Sequence, residues 1–132
     1  RKQTQVEISR SDTFKLGIKA PIRESGDLEG SPGCVLVGPK GMVSLDSGVI
    51  IAARHIHMTP PIASQYGLRD KDVVSVVVEG ERGVVFNNVI VRVSKNAALE
   101  FHVDIDEGNA AVLNTGDTVT MLDKNQALSL VG

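Results

Sequence analysis

The 132-residue chain has no tryptophan, and its aromatic residues amount to 3% of the total. So few rings cannot form a platform on which bases stack. A net charge of -2, from 14 basic and 16 acidic residues, supplies no basic face either, so nucleic acid is not expected as a partner. Only one cysteine is present. Cys34 cannot form an internal disulfide and fits a reducing cytosol. Its apolar neighbours Gly33, Val35 and Leu36 make it read as a small buried hydrophobe rather than a nucleophile. No apolar run approaches the roughly 18 residues of a membrane-spanning helix, and no signal peptide is visible. A hydrophobic content of 42% suits one compact domain or two very small ones. With rings so scarce, Val, Ile, Leu and Ala must build the core, which favours strands.

Histidine is also scarce, and its placement is informative. Two of the three histidines lie in the string Arg54-His55-Ile56-His57-Met58. That string follows the apolar run Val49-Ile50-Ile51-Ala52-Ala53 and reads as the end of one strand. Strand side chains alternate faces, so His55 and His57 project together while Ile56 points away. Two imidazoles on one face can clamp one metal ion or two adjacent ones. The third, His102, lies in an alternating stretch from Leu99 to Asp106 that predicts a half-buried strand. There Leu99, Phe101, Val103 and Ile105 are expected to face a core, with Glu100, His102, Asp104 and Asp106 opposite. A solitary histidine is usually only solvated or hydrogen-bonded; a His-x-His at a strand end with a third imidazole elsewhere points to a metal.

Along the rest of the chain, residues 5–9 read as a strand. Ser11-Asp12 reads as a helix cap opening a short turn that Gly17 ends. Residues 20–23 are expected to be extended. Residues 25–33 form a Gly-rich loop, either a connector or a set of backbone N–H groups for a ligand's phosphates. Strands are expected over 35–37, 42–45, 49–53, 73–78, 83–86, 89–93, 99–105 and 118–122. Short helices are expected over 61–66, behind a Thr59 cap, and over 110–112, behind Asp106 or Asn109. Short, closely spaced strands with few helices predict a mainly β fold of small barrels with short capping helices.

Several stretches, taken together and in order, resemble the phosphate acyltransferases of bacteria known as phosphate propanoyltransferases (the PduL type). They are residues 5–10, 16–26, 47–58, 86–94 and 100–111. The resemblance implies two small β-barrels with a two-zinc site between them. It divides this chain into residues 1–52, the remainder of a first barrel on the CoA and phosphate side, and residues 53–132, a second barrel carrying His-x-His. Its implied activity is acyl transfer between CoA and inorganic phosphate, with acyl-CoA and phosphate as substrates and a propanoyl or acetyl group as cargo. His55, His57, His102 and Glu7 match metal-binding positions, and Arg1 matches a phosphate-binding arginine. Arg23, Ser25 and Gly26 lie in the stretch placed near CoA. A homodimer is implied, in the bacterial cytoplasm or inside a bacterial microcompartment, with propanediol degradation as the setting. Family members carry a second His-x-His in an N-terminal segment. This chain has none, so a separate piece is expected to complete the site, or else this form is inactive.

Direct transfer without an acyl-enzyme is the expected chemistry, because no serine sits in a nucleophile elbow and Cys34 has apolar neighbours. Glu100, Asp104 and Asp106 are candidates to orient the imidazoles, or are simply solvated. Two other functions remain open from the residues themselves. One is a metal-binding β module without turnover. The other is a zinc hydrolase with His55, His57 and His102 around a metal-bound water.

Overall fold

A computed structural model describes residues 3–122. The fold is mainly β with a few short helices, as the strand spacing predicts. It divides into two units between Ala53 and Arg54.

The first unit contains β1 (Val6–Glu7), α1 (Arg10–Leu16), β2 (Ile22–Arg23), β3 (Cys34–Gly38), β4 (Gly41–Leu45) and β5 (Val49–Ala52). The apolar run in β5 is buried because β5 is a central strand, with β1 and β2 parallel on its two sides. Val49 and Ile51 join Ala20 in a small core, against which Val6, Ile8, Ile18 and the half-buried Cys34 pack. β3 and β4 form a separate antiparallel hairpin. Its apolar side chains are largely exposed, with Val37 and Met42 more than 70% accessible.

Helix α1 begins earlier than Ser11-Asp12 suggests. Ser9 is the cap: its hydroxyl accepts from the Asp12 amide, and the Asp12 carboxylate accepts from the Ser9 amide. This reciprocal pair satisfies two otherwise orphaned donors. Gly17 closes the helix in the left-handed region, as expected.

The second unit contains β6 (His55–Met58), α2 (Pro60–Gln65), β7 (Val73–Val78), β8 (Val84–Val93), β9 (Glu100–His102), α3 (Ile105–Ala111) and β10 (Thr120–Leu122). These five strands form a curled sheet in the order β10-β7-β8-β6-β9. Only the β6–β8 pairing is parallel. One face buries Ile56, Met58, Val74, Val76, Val78, Phe86, Val89 and Val91 with Ala63 from α2, Ala111 from α3 and Leu68 from the segment after α2. At roughly 1.5–3 kcal/mol for each fully buried aliphatic side chain, this face dominates the unit's stability.

Three sequence expectations change here. The His-x-His string is not the end of β5 but a strand of its own. The Ala53 amide donates to the Arg23 carbonyl in the first unit, and the Arg54 carbonyl accepts from the Ile90 amide in the second. The chain thus changes sheets between these two residues. The strands expected over 83–86 and 89–93 are one long strand, β8. Asn87 and Asn88 together face Ser75 in a β-bulge, with Asn88 at φ +57° and the Ser75 hydroxyl 2.6 Å from Asn87 Oδ1. The strand expected over 99–105 stops at His102, because Asp104 caps α3. Its carboxylate accepts from the Glu107 amide and the Glu107 carboxylate accepts from the Asp104 amide. Asp106 and Asn109 therefore lie inside the helix. Leu99 and Ile105, expected in a core, are 57% and 68% exposed.

Candidate metal centre

The alternation in β6 buries Ile56 and Met58 and turns His55 and His57 to the other face of the sheet. β9 runs antiparallel beside β6 with His102 directly opposite His55 and Glu100 opposite His57. Cross-strand partners share a face, so the pairing brings all three histidines together. Their ring centroids lie 4.9, 5.0 and 4.9 Å apart. The His55 and His102 rings stack within 3° of parallel, and His57 stands edge-on to both, at 89° and 87°.

One nitrogen from each imidazole falls within 4.8 Å of the others. Zinc with Zn–N bonds of about 2.0–2.1 Å holds two nitrogens roughly 3.4 Å apart in a tetrahedron. At up to 4.8 Å the nitrogens are wider apart than that, so the three rings close on one ion only by rotating inward. Three imidazoles on one face suit zinc by donor type as well.

The local electrostatics favour a neutral His57 ring, the form that binds metal. Burial lowers the His57 pKa from its ordinary value, and His55, His102 and Arg92 lower it further, against an opposing pull from Glu100. Glu100 Oε2 also lies 3.2 Å from His102 Nε2, which orients that ring. Of the other two candidates for this task, Asp104 is committed to the helix cap and Asp106 lies in the first turn of α3.

Sequence reasoning did not single out Arg54, which braces the site. Its Nε forms a 2.6 Å ion pair with Glu107 Oε2, and Nη1 donates to the Asn87 carbonyl at 3.0 Å. Its guanidinium also lies 5.0 Å from the Phe86 ring centroid. Arg54 thus ties the residue preceding His55 to β8 and to the helix that follows His102. Its position beside the His-x-His string was the available signal.

The remaining expected site residues belong to the first unit. Gln5 gathers three of them: its Nε2 donates to Glu7 Oε1 at 2.8 Å and to Ser25 Oγ at 3.2 Å, and its Oε1 accepts from the Gly26 amide at 2.7 Å. Arg23 instead holds the Gly-rich loop, donating from Nε to the Glu29 carbonyl at 3.1 Å and from Nη1 to the Ile22 carbonyl at 2.9 Å. The amides of Gly26, Asp27, Glu29 and Ser31 all donate within the unit. That leaves few for a phosphate cradle and favours the connector reading of the loop. Arg1 lies outside the described residues.

Comparison with known proteins gives one consistent result. The profile of the phosphate propanoyltransferase family matches residues 1–114. A phosphate propanoyltransferase of Thermotoga maritima is 58% identical over 124 residues, covering 93% of this chain and 59% of the relative. One from Lachnoclostridium phytofermentans is 53% identical over 122 residues, covering 92% and 57%. One from Salmonella typhimurium is 54% identical over 112 residues, covering 84% and 53%. The chain thus spans between half and three fifths of the length of these relatives.

Proposed function

The chain belongs to the phosphate propanoyltransferase family, and on that premise we propose that it is the histidine-bearing part of a zinc-dependent phosphotransacylase. The observation carrying this reading is the convergence of His55, His57 and His102 from two strands onto one face. The proposed reaction joins a phosphate oxygen to the carbonyl carbon of a short acyl-CoA, propanoyl or acetyl. The C–S bond breaks, and the proton of hydrogen phosphate passes to the departing thiolate, giving acyl phosphate and CoA.

His55, His57 and His102 would hold the metal, with Glu7 the proposed carboxylate ligand and two zinc ions the proposed complement. Zinc at such a place offsets phosphate's charge and stabilises charge developing on the thioester oxygen or the leaving sulfur. The chain's own contribution is to favour the neutral form of His57 through its burial and to fix the imidazoles through the Glu100 contact with His102 and the Arg54 brace. Arg1 is the proposed phosphate contact, and Arg23, Ser25 and Gly26 the proposed CoA side. The wider proposal comprises completion by a segment with a second His-x-His, a homodimer, and residence in the bacterial cytoplasm or a microcompartment. No helix among the described residues is long and apolar enough to cross a membrane.

The test is CoA release from propanoyl-CoA, measured with a thiol reagent in the presence and absence of phosphate. Phosphate-dependent release with acyl phosphate as product supports the proposal. Release without phosphate would mark a zinc hydrolase, and zinc binding without release a non-catalytic module.

A further inference from the structure

One cation on the face of the three histidines, Arg92, shares its row with a carboxylate that His102 already engages. β8 runs parallel to β6 with Ile90 in register with His55 and Arg92 in register with His57. Neighbouring strands lie about 4.8 Å apart and in-register partners point the same way. The burial alternation along β8 agrees: Val89 and Val91 are buried in the core, while Ile90 and Arg92 are half-buried on the other side. Across the sheet, Arg92, His57 and Glu100 therefore form one row, and Ile90, His55 and His102 the next.

Among the described residues, the Arg92 side chain makes no hydrogen bond or ion pair, and its electrostatic contact is with His57. Glu100, the nearest acid in the row, is engaged by His102. A half-buried guanidinium beside a group of metal-binding imidazoles is electrostatically unfavourable once a cation sits there. An anion bound between the two resolves that conflict. The planar fork of arginine matches two oxygens of a phosphate.

We propose that Arg92 is a phosphate-binding residue of this site, its guanidinium taking two oxygens of inorganic phosphate held beside His55, His57 and His102. The proposal rests on the transacylase reading for its substrate, but not for its test. In the zinc-loaded protein, inorganic phosphate is titrated calorimetrically into the wild type, Arg92→Gln and Arg92→Lys, with zinc content measured on each. The expected result is phosphate binding weakened at least about 10-fold in Arg92→Gln, the scale of a lost charge-assisted pair. Arg92→Lys should recover part of it, and zinc content should stay at the wild-type level.

Steady-state kinetics add a second readout: KM for phosphate should rise while KM for propanoyl-CoA holds. Equal phosphate affinity in wild type and Arg92→Gln would overturn the proposal, as would absence of phosphate binding in the wild type or zinc loss in Arg92→Gln. A rise confined to the propanoyl-CoA KM would assign the guanidinium to the phosphates of CoA and overturn it too. If no acyl transfer occurs but phosphate binding still depends on Arg92, the transacylase reading fails and this inference stands.

Discussion

At the scale of single residues, the site is an electrostatic compromise. Burial and neighbouring cations lower the His57 pKa below the ordinary histidine value of about 6.5. Between the lowered folded value and about 6.5, the unfolded chain binds more protons than the folded one, so stability in that window rises with pH. The metal-free protein should therefore lose stability as pH falls below about 6.5 and hold steady above it. Urea denaturation at several pH values checks this, and His57→Asn should flatten the slope. Arg54 acts by bracing: its ion pair with Glu107 and its contact with Phe86 are half-buried, so screening limits their worth. Arg54→Ala should cost about 1–2 kcal/mol in chemical denaturation and weaken zinc binding about 10-fold or more, as loss of a supporting contact does. An unchanged zinc affinity would show that the brace does not reach the metal site.

At the scale of elements, the way α3 follows β9 explains both what could be read from the sequence and what could not. The alternation in β6 was legible because a period of two survives any tertiary context that buries one face. The same alternation continues through Val103, Asp104 and Ile105, yet the chain turns helical there. Asp104 and Glu107 exchange side-chain-to-backbone bonds, and such local bonds compete with extending a strand. Asn87 and Asn88 separate two expected strands but form a bulge within one, since β8 is held by partners on both sides. α3 also ends under strain: Val112 closes it at φ +53°, a left-handed conformation poorly suited to a β-branched side chain, and it is 58% exposed. Val112→Gly should stabilise the protein by about 1 kcal/mol, because the strain is relieved and little packing is lost. In the first unit Gly48 has the opposite need. At φ +117°, a Cβ would sit 2.5 Å from the Thr4 carbonyl oxygen. Gly48→Ala should push β1 off β5 and destabilise by about 2 kcal/mol or more, read from a thermal melt.

At the scale of the whole molecule, the chain matches between half and three fifths of the length of these relatives, while they match 84% to 93% of it. Family and mainly β architecture were both legible from ordered strings such as Arg54-His55-Ile56-His57-Met58. The role of Arg54 was not, because nothing in its own string reveals Glu107 and Phe86 as neighbours; they come close only once β8 and α3 have folded. The central claim is that His55, His57 and His102 form a zinc site. The most direct measurement is zinc content by elemental analysis of the purified protein, beside His55→Ala and His102→Ala variants whose folding is verified by circular dichroism. The account predicts bound zinc in the wild type and loss of at least one equivalent in each folded variant. Undiminished zinc in both variants, or none in a wild type supplied with the metal, would contradict it.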